Sequence, residues 1–571
     1  MSLLKCNHLK KLHLQVFLRR NNASDVTKTA VIPRGSLGQA INPQTTPFVN
    51  PVSPTTTRVI PPLSTEIHKP INVSSFDDVP GPVSLNFLSK IWNVIPVIGT
   101  EITSRMIQYM LSAGKLFGSQ LSWGSTWWQH LFGKFFTVYG PVVRLRGPFG
   151  GDVVLISRPE HAKILFNSEV AYPVRASLDS VEKYCMNHRK YKQPGLFLMS
   201  GLEWDKLRKT IEAPLKSIAF NQITTLDKIS DEFITRIIQI RNAQEEMPSS
   251  FKDEIYKWTL ECLCSVTLNK RLGFLDPSGL STSSDPLRLL ESLKGATEAV
   301  QKCEIGFHMW KFVETPSWKS LVRNCDNIDT VMHKYVQQAH DSLRAQKDGA
   351  KVEKTSLIEC LLLRENMYPE DVMTVLLDLM LVGVNATVHT VAFMFYHLAK
   401  SPRCQQKLYE EICEKKTLTK DDVKNMPYMQ ACIKEVLRLK PAIPFLTRIT
   451  NNDMVVHNYS IPKGTHVMVA TRISSVRDEH FEDSHKFMPE RWLHPELGLI
   501  NKDLKDFAFM PYGFGARGCI AKELAEMQIT ILLSKVLKKF RIEYFYADIL
   551  STQRLFSMPD KPLKFRFVER I

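Results

Sequence analysis

The stretch "LMLVGVNATVHTVAF", residues 379–393, lies inside the longest hydrophobic segment of the chain. Pro369, Glu370 and Asp371 open that segment: proline suits a first helical turn, and acids suit the positive end of the helix dipole. Ser401-Pro402 closes it, because the residue before a proline is driven out of the helical region. These signals predict a helix of about 32 residues, roughly 48 Å long at 1.5 Å per residue. A rod of that length crosses either a membrane or the middle of a large domain. Asp378, Asn385 and His389 within the span make a membrane costly, so the segment is read as a central core helix. With 571 residues and 44% hydrophobic composition, the chain can bury such a helix. What needs explaining is the small and polar set at its middle: Gly383, Asn385, Thr387 and His389.

From residue 80 onward helical patterns dominate, with short strand-like runs at 141–156 and 453–471 and no internal repeat. The fold class expected is therefore mainly α with small β-sheets. Residues 1–34 carry seven basic residues (Lys5, Lys10, Lys11, Arg19, Arg20, Lys28, Arg34) against one acid, Asp25. Leu4, Leu9, Leu12 and Val16 could line one face of a helix there. A basic, acid-poor, amphipathic start reads as a mitochondrial transit peptide, and no apolar run in it approaches the ~20 residues a span needs. Residues 35–79 are rich in Pro, Ser and Thr and read as a disordered linker; residues 80–571 form the globular domain. The formal net charge of +16 suits nucleic acid, an anionic membrane or an acidic protein partner. Eleven cysteines without a CxxC pair argue for reduced thiols and against zinc.

One cysteine stands apart. In "FAFMPYGFGARGCIAKELAEMQ", residues 507–528, Cys519 follows a turn built from Gly513, Gly515 and Gly518, and an amphipathic helix begins just after it. A thiolate at a helix N-terminus is favoured by the dipole and the free N–H groups. The glycines let the backbone pass close under something flat and large.

This loop resembles that of the cytochrome P450 haem-thiolate family, F-x-x-G-x-R-x-C-x-G. Tyr512, Gly515, Arg517, Cys519 and Ala521 stand in register, with Tyr for Phe and Ala for the last Gly. Other stretches carry the same resemblance. "IKEVLR" supplies Glu435 and Arg438, and "FMPERW" supplies Arg491, which together imply the family's buried salt-bridge network behind the haem. "EWDKLR" supplies Trp204 and Arg208, which with Arg448 and Arg517 imply contacts to the haem propionates; guanidinium makes forked, charge-assisted bonds to carboxylate. The resemblance covers about residue 80 to the C-terminus and is closest to the animal mitochondrial branch, with arthropod members nearest.

The resemblance implies the cytochrome P450 fold and haem b ligated axially by the Cys519 thiolate. It implies a monooxygenase that hydroxylates a lipophilic substrate, sterol- or ecdysteroid-like or xenobiotic. Its partners would be an adrenodoxin-like ferredoxin with its NADPH-ferredoxin reductase, without nucleic acid. Its place would be the matrix side of the inner mitochondrial membrane, with peripheral membrane association. Lys434 matches one basic docking position of the branch; the second is Gln430 here, and Lys440 and Lys522 are candidates to compensate. A basic face suits an acidic ferredoxin through electrostatic steering. The pocket is expected to be lined by the 176–200 loop, Val382, Val384, Ala386, Ile443, Phe445, Leu446 and a turn near Met558.

The opening stretch aligns with the family's oxygen groove, (A/G)-G-x-(D/E)-T. Gly383 is kept, but Asn385 replaces the acid and Ala386 the relay threonine. Gly383, Asn385 and Thr387 are the residues expected at this site, although Thr387 points ~100° from Ala386 on a 3.6-residue helix and is no simple substitute. Thr390 lies one turn on. His389 is read as a packed, hydrogen-bonded wall residue rather than a relay. Three chemistries stay open: hydroxylation with the proton delivered by a substrate hydroxyl and water; electron-independent rearrangement of a peroxide; and haem-dependent ligand binding with little turnover.

Overall fold

The computed structural model describes residues 73–82, 127–146, 152–176, 178–304, 309–345, 356–365, 367–413, 415, 418–494, 502–553 and 555–570. The transit peptide read at 1–34, and the linker as far as residue 72, lie outside the described residues.

The central helix spans Pro369–Lys400, and 78% of its most apolar window is buried inside the protein. It runs through a core formed by neighbours such as Phe251–Leu268, where Ile255, Trp258, Leu260, Cys262, Cys264 and Val266 are all fully enclosed. A helix apolar on every side belongs in the middle of a large domain. Asp285–Glu304 and Pro427–Leu439 pack on other faces of the same rod.

The rod is not a uniform α-helix. Leu379–Val384 form a π-helical turn between α-helical Pro369–Asp378 and Asn385–Lys400. Such turns add a residue to one turn of the ladder and concentrate at functional sites. Nothing lies within 4 Å of where a Cβ on Gly383 would be, so this turn borders open space rather than packed side chains.

The strand-like runs form the expected small sheets. Strands β1 (Val142–Leu145) and β2 (Val153–Ile156) are antiparallel. The chain then contributes β3 (Leu446–Ile449), the hairpin β4 (Met454–Val456) and β5 (Tyr459–Ile461), and β6 (His466–Val469). One sheet has the order β1-β2-β6-β3, with β2 and β6 parallel. Its inner strand β2, VVLI, is a continuous apolar run buried throughout, because both faces are covered.

Residues 73–79, read as the end of the linker, are tied to the domain. Ser74 pairs with the β5 hairpin, its amide donating to Asn458 O at 2.8 Å and its carbonyl accepting from Ser460 N at 3.0 Å. The Arg144 guanidinium donates to Phe76 O at 2.7 Å and to Asp77 Oδ1 at 2.9 Å. Composition cannot mark this edge, because backbone pairing recruits residues without regard to their polarity.

Candidate active site

Cys519 is held by a loop that folds on itself. Its amide donates to Tyr512 O at 2.8 Å, and the Gly518 amide donates to Gly515 O at 2.9 Å. Gly513 and Gly515 have φ of +79° and +60°, a region that costs any residue with a Cβ. The helix Lys522–Lys539 starts three residues after the cysteine. Burial pushes the Cys519 thiol up, while the Ala521 amide and the Arg208 and Arg175 cations pull it down. The sulfur is reachable by solvent only because it faces a cavity.

Both departures of the loop from the family pattern have a local account. Tyr512 is enclosed and hydrogen-bonds the Glu526 carboxylate, so the added hydroxyl is satisfied. Ala521 has φ −102°, where glycine is not required.

The cavity, its open mouth included, holds ≈ 1500 Å³ of empty space. Cys519, Gly513, Gly518 and Ala521 form one wall; Val382, Gly383, Val384, Ala386, Thr387 and Thr390 of the central helix form another; Trp204, Arg208, Arg517 and Arg175 close one end. The structure thus brings together Cys519, Trp204, Arg208, Arg517, Gly383 and Thr387, residues up to 315 positions apart in the chain.

The cationic end is unbalanced. Arg517 stacks on Trp204, its Cζ 3.7 Å from the ring centroid. It donates to Pro173 O at 2.8 Å and Ser200 Oγ at 3.1 Å, but its Nη1 is buried without a partner among the described residues. Burial, then repulsion from Arg175, Arg448 and Arg208, lowers Arg517 to about 9. Arg175 falls to about 10 for the same two reasons. Arg208 donates to Gly518 O at 2.7 Å, tying the helix Gly201–Asn221 to the cysteine loop. Arg448 is bound to Glu169 and donates to Phe514 O at 3.3 Å; it stands behind Gly515 rather than on the cavity wall. The Glu169 carboxylate is 3.3 Å from where a Cβ on Gly515 would be. Crowded guanidiniums with an unfilled donor suit a bound dianion. An enclosed thiol across an apolar slot completes the donor set that haem requires, and the residues present fit it.

Arg517→Gln relieves that repulsion. Its denaturation midpoint without haem should match or exceed that of the wild type, while its haem affinity should fall about tenfold or more, one charge-assisted hydrogen bond being worth ~1.5–3 kcal/mol.

The remaining expected residues fall into place as follows. Asn385 is fully buried and faces away from the cavity: Tyr256 Oη donates to its Oδ1 at 2.6 Å, and its Nδ2 donates to Thr297 Oγ1 at 2.8 Å and Leu381 O at 2.9 Å. Thr387 and Thr390 donate to Gly383 O at 3.0 Å and Ala386 O at 2.8 Å. His389 is not on the cavity wall, where it was expected: it is fully buried behind it, packed edge-on to Tyr256, with neither ring nitrogen hydrogen-bonded among the described residues, and is lowered to about 3 by burial. Of the expected pocket residues, Val382, Val384, Ala386, Ile443 and Leu446 line the cavity; Phe445 and Met558 do not.

Glu435, Arg438 and Arg491 are completely buried as one network, with Arg438 Nη2 and Arg491 Nε at 2.8 Å and 3.0 Å from Glu435 Oε1. Lys434 and Lys522 are exposed and flank Glu526. Lys440 differs: it is half-buried over Phe393, faces Arg472, Asp548 and Asp560, and is lowered to about 8 by burial. The Gln430 amide donates to Lys424 O at 2.6 Å.

Among the cavity residues that the sequence did not mark as part of a site, two are charged. Arg175 lies in "YPVRAS" and Asp378 in the central helix; neither spacing nor motif singles them out.

Comparison with known proteins agrees with this geometry. A profile of the family described as Cytochrome P450 matches residues 111–567. A Drosophila melanogaster protein named probable cytochrome P450 301a1, mitochondrial, is 30% identical over 507 residues, 87% of each chain. Cytochrome P450 CYP12A2 of Musca domestica is 31% identical over 461 residues, 76% of this chain and 84% of its own. A Rattus norvegicus protein named 1,25-dihydroxyvitamin D(3) 24-hydroxylase, mitochondrial, is 29% identical over 414 residues, 71% of this chain and 76% of its own.

Proposed function

The chain belongs to the cytochrome P450 family of monooxygenases, and we propose that it hydroxylates a lipophilic, sterol-sized substrate in mitochondria with electrons from a ferredoxin. The observation that carries this is the cavity, with a thiol on one wall, a glycine groove opposite and guanidiniums at one end. The mitochondrial names of the relatives and the basic, acid-poor residues 1–34 support the location. A relative named for a hydroxylated secosteroid supports the substrate class.

In this reading Cys519 would supply the thiolate ligand of the haem, and Arg208 and Arg517, with Trp204, would hold its propionates; Arg448 braces the Gly515 turn through Phe514 and Glu169. When bound, the haem supplies the activation of O₂ for insertion into a C–H bond, driven by electron donation from the thiolate. The chain's own part is to orient and to manage protons. Gly383 leaves room beside the groove. Ala386 offers a methyl and Asn385 is spent on Tyr256 and Thr297, so neither passes a proton. Thr387 is the hydroxyl on the cavity wall nearest to Gly383, and its hydrogen bond to Gly383 O holds it where water or a substrate hydroxyl can join it. A peroxide rearrangement needs no relay, and the withdrawal of Asn385 favours it as the second reading.

The test is the fraction of NADPH consumed that appears as hydroxylated product. Purified protein is reconstituted with ferredoxin and its reductase on a steroid panel, with Ala386→Thr beside it and Cys519→Ala as the negative control. High coupling in the wild type supports the monooxygenase. Product formed without NADPH supports rearrangement, and stable ligand binding without product supports a binding role.

Lys434 and Lys522 form the exposed basic site for the ferredoxin. Lys434→Glu with Lys522→Glu should raise the KM for ferredoxin about tenfold at low salt, with the difference shrinking as salt screens the pair.

A further inference from the structure

Asp378 is an acid on the cavity wall that the chemistry above leaves idle. It is the last residue before the π-helical turn. Its Oδ2 accepts the Phe197 amide at 2.9 Å, and the neighbouring Leu196 amide also favours its charged form. The turn that delivers those amides depends on Gly195, whose φ is +101°: a Cβ there would stand 2.7 Å from Oδ2 and 3.1 Å from Thr374 O. One carboxylate oxygen is therefore fixed by backbone. Among the described residues Phe197 is the hydrogen-bond donor found on this carboxylate, and it sits on Oδ2, while Asp378 itself lines the cavity.

The surroundings define what Oδ1 can take. Leu196, Phe197, Leu379, Val382 and Ile443 make the nearby wall apolar, so an acceptor left without a donor costs about 1–3 kcal/mol that a ligand can recover. Arg175, Arg208 and Arg517 share the cavity and repel a cationic ligand. Burial raises the carboxyl to about 7, so ligand titrations belong at about pH 8 to 8.5, where the ionised carboxylate is an acceptor only. Asp378 precedes Gly383 by five residues, about 7 Å along the helix axis.

We propose that Asp378 is the polar anchor of the substrate pocket, accepting a hydrogen bond from a hydroxyl of a lipophilic substrate whose reacting end lies at Gly383 and Ala386. The inference rests on the monooxygenase reading and narrows it to hydroxylated lipophiles.

Asp378→Asn makes a distinctive test. The Phe197 amide demands an oxygen, so the asparagine carbonyl takes the place of Oδ2 and its NH₂ enters the cavity. The anchor changes from acceptor to donor at constant shape. The haem-loaded protein is titrated with sterols and terpenoids, each as the alcohol, the ketone and the deoxy hydrocarbon. The ligand-induced shift of the Soret band reads affinity without turnover. The wild type should bind the alcohol about tenfold tighter than the deoxy compound in at least one series, and Asp378→Asn should lose that preference and favour the ketone. Equal binding of alcohol and deoxy compound in every series by the wild type overturns the anchor, with no variant needed. An alcohol preference that survives unchanged in Asp378→Asn overturns it too, since a purely structural role would leave it intact. The carbon monoxide difference spectrum of the same reduced samples separates the two levels. Its absence in the wild type overturns the haem-thiolate reading, whereas its presence with no alcohol preference overturns the anchor alone.

Discussion

Glu435→Gln should destabilise the fold by about 3–5 kcal/mol, the usual cost of removing one partner from a buried ion pair, and should prevent stable haem incorporation. Every donor around this carboxylate is spent on it. Oε1 accepts from Arg438 Nη2 at 2.8 Å, Arg491 Nε at 3.0 Å and Met488 N at 3.0 Å. Oε2 accepts from Arg438 Nε and from Trp492 Nε1, both at 2.9 Å. Glutamine would turn an NH₂ toward donors and remove the carboxylate charge that two fully buried guanidiniums share. Arg438 also donates to Ser475 O at 2.7 Å and Ser484 O at 2.6 Å, so the loss spreads to the chain leading into the Pro489–Trp492 turn. The measurement is the denaturant midpoint at constant slope, with haem content read in parallel. A loss under 1 kcal/mol would mean that the network is no stronger than a surface pair.

Asn385→Asp restores the acid of the family's oxygen groove, and it should not restore a proton relay. The side chain points away from the cavity, into the seam between the central helix and the helices Phe251–Leu268 and Asp285–Glu304. An aspartate would still accept from Tyr256, but it would lose the donations to Thr297 Oγ1 and to Leu381 O. Thr297 already donates to Leu293 O at 2.8 Å, so its hydroxyl would have to turn away from that carbonyl to meet the new acceptor. One buried carbonyl and one buried charge would be left short, a cost of about 2–4 kcal/mol. Coupling of NADPH to product should be unchanged or worse in Asn385→Asp, and improvement should come only from Ala386→Thr, whose side chain reaches the cavity. Better coupling in Asn385→Asp would show that the residue reaches the groove during turnover.

The contrast between these two positions shows what was legible in the chain. Glu435 and Arg438 are three residues apart on one helix, and Arg491 lies in a compact "PERW" turn, so their pairing could be read from spacing and resemblance. Cys519 was legible for a similar reason: a glycine turn, a cysteine and a helix start are consecutive, and local backbone geometry dictates what they do. The central helix was legible from its caps and its apolar length. Asn385 was placed in the right helix, but the side on which it is used depends on a π-helical turn that hydrophobic periodicity does not reveal. Lys440 counted as a docking candidate by sequence position, yet the packing of Phe393 half-buries it.

The sequence by itself determined the elements whose cause is local: where the helices start and stop, which loop carries the thiol, and which short segments pair charges. Tertiary structure alone decided what meets across the cavity. It set Arg175 beside Arg208 and Arg517, put Asp378 against a turn from residues 195–197, and turned Asn385 toward Tyr256 and Thr297. Those contacts join positions 33 to 342 residues apart. Their energies come from desolvation and from donors supplied by other elements, and neither quantity exists until the chain has folded.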